Sequence, residues 1–338
     1  MAIDTSAETK PAGNQEQSAA FVWEDTYAIL PEGKIHYLRA GSGRPMLLIH
    51  GLVGSSVNWR RNIDALACGQ RGPGDSGACV YALDLPNRGR ADRVRGLDAG
   101  RAATADRVAA FMNALGINEG DIVGHSHGGA VALMLAARHP DRVRSLALFA
   151  PANPYSNLSD RLVRIYSSAL GIPLAGIAPY LPAWSQRIAL GRMYGDPARI
   201  VAGTLEGYIE GLRVPGTIGH VLAIVRGWFA DMAQLRAALP RVRVPVLLVW
   251  GDRDRAVSLA SGKRLQRELS GSRLTVIPGA GHVLFEEMPG EANRQMIAWV
   301  CQERGSVIPK CAEEPASKRP NRGQPQSSAA STTVAPAL

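Results

Sequence analysis

Lysine is scarce in this chain of 338 residues: it stands at positions 10, 34, 263, 310 and 318, and arginine supplies the rest of the 38 basic side chains. Cysteines number only four, aromatics are few (Phe 5, Trp 6, Tyr 8), and no apolar run long enough to span a bilayer goes unbroken. Four cysteines in a chain this long exclude a disulfide framework. Cys68 and Cys79 bracket a glycine-rich loop and Cys301 and Cys311 lie far away, so free thiols in a reducing compartment are expected. The composition also excludes a collagen, a coiled coil and a wholly disordered chain. The first 20 residues lack an apolar core and carry acids early, which argues against a signal peptide and for a cytoplasmic location. The stretch from Ile165 to Gln186 has no charge, but Gly171, Pro173, Gly176, Pro179 and Pro182 interrupt it. Such a segment cannot keep its backbone bonds internal across a membrane, so it reads as buried or lid-forming, with no stable membrane insertion.

The balance of 38 basic against 29 acidic residues gives a net charge of +9. Binding to nucleic acid needs clustered cations. The densest stretch, Arg88 to Arg95, is interrupted by Asp92, and the other arginines are scattered, so a solvated basic surface is expected and no nucleic-acid partner.

The ends are rich in Ala, Ser, Pro, Gln and Thr without apolar periodicity, so residues 1–20 and 306–338 read as tails too poor in apolar surface to order themselves. Between them, short β-like runs begin with DTYAIL (25–30) and KIHYLR (34–39), which Pro31, Glu32 and Gly33 join as a hairpin. PMLLIH (45–50), CVYALDL (79–85), DIVGH (121–125), RSLALFA (144–150), VPVLLVW (244–250) and RLTVIP (273–278) follow, nearly continuous in apolar residues and alternating with helical patterns at 58–67, 101–115, 128–139, 261–269 and 286–304. That alternation predicts an α/β fold built on a mostly parallel sheet buried on both faces. It fails between Pro151 and Pro245, where the pattern is helical throughout. The expected organisation is a body of residues 21–153 and 241–305, interrupted by a helical lid of residues 154–240 over the sheet edge where such folds bind ligands. The lid holds eight of the 19 aromatics, namely Tyr155, Tyr166, Tyr180, Trp184, Tyr194, Tyr208, Trp228 and Phe229, and so suits a hydrophobic small-molecule substrate.

Gly124-His125-Ser126-His127-Gly128 has G-x-S-x-G spacing. Alone this is a weak signal, but it follows a strand pattern directly and opens a helix, the setting that holds a nucleophilic serine on a sharp turn. His50-Gly51-Leu52-Val53-Gly54, at the end of another strand pattern, provides a loop whose backbone N–H can face an oxyanion; Leu52 is the candidate donor, and His127, next after the serine, the second. Among the histidines, His282 in Gly279-Ala280-Gly281-His282 follows the last strand and is the candidate base. Two carboxylates after VPVLLVW compete for the acid, Asp252 and Asp254; Asp254 is preferred, since it can turn back toward His282 while Asp252 caps the turn. His125 and His127 form H-x-H, but no third ligand of fitting spacing is near, so neither a metal nor another cofactor is expected.

These motifs, with ALDLPNRGRAD (82–92) and GAGHVLFEEMPGEAN (279–293), come in the order of the α/β-hydrolase superfamily, which residues 25–305 resemble. The resemblance implies Ser126 as nucleophile, Asp254 as acid, His282 as base and Leu52 with His127 as oxyanion donors. It also implies an eight-stranded, mostly parallel sheet with a helical cap between the sixth and seventh strands. The segment from Asp84 to Asp92 departs from the family's D-x-P-G-x-G-x-S pattern at Asn87 and Ala91. A serine nucleophile argues against the dehalogenase and epoxide-hydrolase branches, which use aspartate. A lidded carboxylic-ester hydrolase acting through an acyl-enzyme is the expected function. The alternatives are an enzyme of the same fold with another outcome (acyl transfer, amide or thioester cleavage, carbon–carbon hydrolysis, lyase or perhydrolase activity) and a non-catalytic binding protein. The oligomeric state is not legible.

Overall fold

The computed structural model describes residues 23–68, 77–156, 163–166, 168 and 171–303. The two tails, with Cys311, lie outside them, as does most of the loop between Cys68 and Cys79. Eight strands form one sheet in the order β1-β2-β4-β3-β5-β6-β7-β8. The hairpin of β1 (Glu24–Leu30) and β2 (Gly33–Ala40) turns at Pro31 and Glu32, and β2 runs antiparallel to β4 (Ala78–Leu83). The rest is parallel: β3 (Arg44–Ile49), β5 (Gly120–His125), β6 (Val143–Phe149), β7 (Val246–Gly251) and β8 (Arg273–Ile277).

Apolar side chains on both faces of the central strands explain their near-continuous hydrophobic runs. Leu47 and Ile49 enter one core layer, against α2 (Arg101–Ala114) and α3 (His127–Arg138), while Met46 and Leu48 enter the other, against α1 (Ile63–Cys68) and the C-terminal helix. Each fully buried aliphatic side chain contributes about 2 kcal/mol, which makes the sheet a stiff base for anything mounted on its edge. All eight expected strands are present, with ends shifted by one or two residues. Two helix readings change. The pattern at 58–67 resolves into a 3₁₀ turn at Ser56–Trp59 followed by α1. The final pattern breaks into Leu284–Glu287 and Pro289–Glu303, because Met288 precedes a proline and leaves the helical region (φ −129°, ψ 61°).

Between β6 and β7 every described element is helical: α4 (Gly171–Ile177), α5 (Ala183–Gly191), α6 (Thr204–Arg213), α7 (Thr217–Arg226) and α8 (Trp228–Ala238). Its aromatics divide in a way the sequence does not reveal. Tyr194 and Trp228 are buried, Tyr180, Trp184 and Phe229 are exposed, and Tyr155 lies under the guanidinium of Arg264, leaving Tyr166 and Tyr208 of the eight to line the cavity beside Ser126.

After β7 come α9 (Leu259–Glu268), β8, and the broken pair α10 (Leu284–Glu287) and α11 (Pro289–Glu303). Within the arginine-rich stretch Arg90 and Arg95 are exposed as expected, but Arg88 is buried, as is Arg101 beyond it. Arg101 pairs with Asp231 at 2.8 Å and lies over the Trp228 ring, whereas Arg88 bonds only to backbone carbonyls, as described below.

Candidate active site

The end of β5 turns abruptly into α3, and Ser126 occupies the corner with φ 50° and ψ −115°. A non-glycine residue there costs on the order of 1–3 kcal/mol and persists only if its neighbours impose it. Here they do: Ser126 N–H donates to the Phe149 carbonyl at 3.0 Å, and the Ser126 carbonyl accepts from Ala130 (3.1 Å) and Ala152 (2.9 Å). The flanking glycines are there for approach. A Cβ on Gly124 would stand 2.7 Å from the Gly129 Cα, and one on Gly128 would stand 2.4 Å from the carbonyl oxygens of Ile49 and His50. This crowding presses the start of α3 against the loop after β3.

The loop after β8 carries His282, whose Nδ1 lies 2.8 Å from Asp254 Oδ2. The other oxygen of that carboxylate accepts the N–H groups of Ala256 (2.8 Å) and Val257 (2.9 Å), so the acid is held at both ends. Asp252 instead accepts from Gly279 N–H at 2.7 Å, closing the turns after β7 and β8 on each other. His282 donates its backbone N–H to the Met193 carbonyl in the helical insertion at 2.7 Å. Beneath it, the buried Glu287 carboxylate gathers four donors: Gly281 and Gly195 N–H on one oxygen (2.7 and 3.0 Å), Asp196 N–H and Arg199 on the other (2.9 and 3.0 Å). The histidine loop and residues 193–199 of the insertion are therefore stitched together. Ser126 and His282 line the same cavity, although no hydrogen bond joins them among the described residues. Catalytic contacts of this kind commonly tighten only when substrate is bound.

Leu52 follows β3, and Gly51 brings this loop against the elbow: a Cβ there would sit 2.8 Å from His125 Nδ1 and 3.5 Å from Ser126 Cβ. His127 is the first residue of α3, whose N–H has no acceptor within its own helix. Behind the loop, Arg88 Nε donates to the Leu52 carbonyl at 2.8 Å and Nη1 to the Asn87 carbonyl at 3.2 Å. This guanidinium has no carboxylate partner among the described residues; burial, with Arg93 close by, pushes its pKa down to about 9. Asn87, the first departure from the family pattern, takes the positive φ (60°) that a glycine would. Its side chain bonds to both backbone groups of Val94 and to His220 in the insertion (3.1 Å). The loop keeps its turn and gains a tie to α7. Neither Arg88 nor Glu287 is singled out by sequence reasoning; the only sign of Arg88 is that it adjoins that departure.

The two histidines flanking Ser126 diverge. His125 Nε2–H donates to the His282 carbonyl at 3.1 Å, and its ring lies 4.7 Å from that of His282. His127 lies on the other side, beside Leu85, Thr104 and His220. Burial holds both imidazoles well below the usual histidine range, with the charges of His282 and Arg101 respectively adding to the effect. Among the described residues no group of three or more His, Cys, Asp or Glu side chains is arranged to hold a metal ion.

Ser126, His282, His125, Leu52 and Val53 open into a cavity of about 530 Å³ roofed by the insertion, with Leu181, Leu190, Leu205, Ile209 and Leu212 among its apolar walls. None of its lining residues is an Asp, Glu, Lys or Arg. Asn58, His125, Ser126 and His282 supply polar groups at the elbow end, and Tyr166, Ser185, Gln186 and Tyr208 supply them on the side of the insertion.

Comparison with known proteins agrees with this geometry. A family model described as alpha/beta hydrolase fold matches residues 44–289. A pimeloyl-[acyl-carrier protein] methyl ester esterase of Neisseria meningitidis is 36% identical over 207 residues, 61% of this chain and 76% of that protein. The dihydrolipoyllysine-residue acetyltransferase component of an acetoin cleaving system from Pseudomonas putida is 31% identical over 261 residues; the match takes in 76% of this chain but only 64% of that longer protein. A 2-hydroxy-6-oxo-6-phenylhexa-2,4-dienoate hydrolase of Comamonas testosteroni is 28% identical over 283 residues, 79% of this chain and 91% of the relative. Among solved structures, a bacterial membrane phospholipase A superposes with a TM-score of 0.69 at 26% identity, covering 84% of this chain and 87% of the other.

Proposed function

Because the chain belongs to the alpha/beta hydrolase family, we propose that it is a serine hydrolase that cleaves a carboxylic ester whose acyl or alcohol part is apolar and uncharged. The observation that carries this reading is the juxtaposition, at one end of an uncharged cavity, of a serine held on a strained turn and a histidine bonded to a buried carboxylate. In this mechanism the helical insertion is the lid over the acyl site.

With Nδ1–H given to Asp254, His282 Nε2 is free to take the proton of Ser126 as Oγ attacks the ester carbonyl. The Leu52 and His127 N–H groups receive the developing oxyanion, and the start of α3 adds its dipole. His282 then returns the proton to the departing alcohol, and a water activated by the same imidazole releases the acid from Ser126. Asp254 holds one tautomer of the imidazole and stabilises the imidazolium. His125, kept neutral by burial, adds no positive charge beside it.

Ester cleavage is favoured over the carbon–carbon hydrolysis named for the Comamonas relative, because a dienoate is an anion and no cationic side chain lines this cavity. Turnover of p-nitrophenyl esters of increasing chain length tests the reading. Wild type should show medium acyl chains preferred over acetate, with label from a fluorophosphonate on Ser126, and Ser126→Ala and His282→Ala should be inactive. No turnover and no labelling of wild type overturns it.

A further inference from the structure

The lid elements that roof the cavity show solvent a face that a soluble lid does not need. Pro179, Leu181, Ser185, Gln186 and Ala189 line the cavity, while Ile177, Tyr180, Trp184 and Ile188, from the same two helices and the turn between them, point outward. Tyr180 and Trp184 are 66% and 67% exposed. Leu181 and Val53 both line the cavity and remain exposed, which puts its mouth at the edge of this patch. Contiguous apolar exposure of this kind marks an interaction site.

The charge carried by the patch's own stretch of chain has one sign. From Arg161 to Gly195 the chain has four arginines and no acidic residue. Trp184, Arg187 and Ile188 stand three and four apart on α5 and so share one face, with Arg192 one further turn along. Arg213 lies over the Tyr180 ring at 5.8 Å and donates to the Pro179 carbonyl at 3.1 Å. The next helix, α6, carries the exposed acids Glu206 and Glu210 together with Arg213, so the basic excess belongs to the stretch from Arg161 to Gly195. Exposed Trp and Tyr mixed with arginine and aliphatic side chains are the combination that settles at a headgroup boundary, where each cation near an anionic surface adds about 1 kcal/mol.

We propose that this face of the lid, centred on Tyr180, Trp184, Arg187 and Ile188, docks on an anionic lipid surface, so that the cavity mouth opens toward the membrane. Docking stands on the surface alone. That an acyl chain then enters the cavity from the lipid rests on the hydrolase reading above. The interaction is peripheral, since no helix among the described residues is long and apolar enough to cross a membrane.

Binding is read separately from chemistry by sedimenting the full-length Ser126→Ala protein with sucrose-loaded vesicles of phosphatidylglycerol and phosphatidylcholine or of phosphatidylcholine alone. The expected result is at least about tenfold tighter binding to the anionic vesicles, weakened by added salt. In an otherwise wild-type chain, W184E/I188E and, independently, R187E should each lose about tenfold in that binding while turnover of soluble p-nitrophenyl butyrate stays within about twofold, since none of the three residues lines the cavity. Docking is overturned if the protein stays in the supernatant with anionic vesicles or if R187E binds as wild type does. It is also overturned if light scattering shows that W184E/I188E dissociates a dimer of this chain, or if the face retains an acidic carrier protein but no vesicles. Absence of soluble-ester turnover in wild type would instead sink the hydrolase reading and leave the binding measurement intact.

Discussion

Arg88 Nε holds the carbonyl of Leu52 at 2.8 Å, from a buried position with no acidic partner among the described residues. An unpaired guanidinium inside a protein is costly, and this one faces the rear of the loop assigned to the oxyanion. On the proposed mechanism it fixes the backbone of residue 52 and sets a positive charge behind the site where negative charge would develop, which would make it a positioning residue. Arg88→Met should lower kcat by about ten- to a hundredfold with KM within about twofold, because the interaction grows only in the transition state. Affinity for a boronic-acid transition-state analogue should fall in parallel, Arg88→Lys should recover part of both, and free guanidinium should partly rescue the Met variant. An equal loss in KM and kcat would mean that the side chain serves only the fold.

The carboxylates after β7 have separable roles. Asp254 bonds to His282, and Asp252 ties Gly279. Asp254→Asn should lower kcat by about 10³- to 10⁴-fold, since the amide favours the wrong imidazole tautomer. Asp252→Asn keeps an acceptor oxygen for Gly279 N–H and should stay within about threefold of wild type. A larger loss at 252 than at 254 would exchange the two assignments.

Glu287 bridges the histidine loop to residues 195–199 through four donors. Glu287→Gln places an amide donor against N–H groups that need an acceptor and removes the buried charge opposite Arg199, so unfolding should become easier by about 3 kcal/mol in urea titrations. The surviving folded enzyme should have a lower kcat and a pH profile shifted from that of wild type, because the loop aiming His282 is released. An unchanged profile would confine Glu287 to stability.

Four buried imidazoles set the acid limit of the fold. His50 Nδ1–H donates to the Gly51 carbonyl (2.7 Å) and Nε2 accepts Leu85 N–H (2.9 Å), so a proton on Nε2 would face another donor. Burial pushes His50 and His220 down to about 4, and holds His125 and His127 well below the usual range. Between pH 6.5 and 4 the unfolded chain binds protons that the native one refuses, so stability is complete above that window and falls as pH drops through it. For His50 alone the loss is on the order of 3 kcal/mol. The urea midpoint should fall steeply from pH 7 to pH 4.5; a flat midpoint would contradict the burial of these rings.

Much of the site is legible in the chain because local geometry dictates it. Gly124, Gly128 and Ser126 are adjacent in sequence, so the turn that needs them can be read there, and the parallel strands announce themselves because burial on both faces demands unbroken apolar runs. His282 and Asp254 are readable as candidates because each follows a strand end, although the choice between Asp252 and Asp254 depends on which carboxylate the loop turns toward the imidazole. Arg88, Glu287 and the division of the insertion's aromatics into buried, cavity-lining and exposed sets depend mainly on partners more than thirty residues away, such as Leu52 for Arg88 and residues 195–199 for Glu287, which no local pattern encodes.

The sequence by itself determined the order of strands and helices, the serine turn and the helical interruption after β6, since each follows from the spacing of apolar and glycine residues along a few turns of chain. Only the tertiary structure decided that the buried Arg88 supports Leu52, that Glu287 binds the helical insertion to the histidine loop, and that Trp184 and Tyr180 face solvent. Packing of distant segments determines which polar groups lose water and which apolar groups keep it.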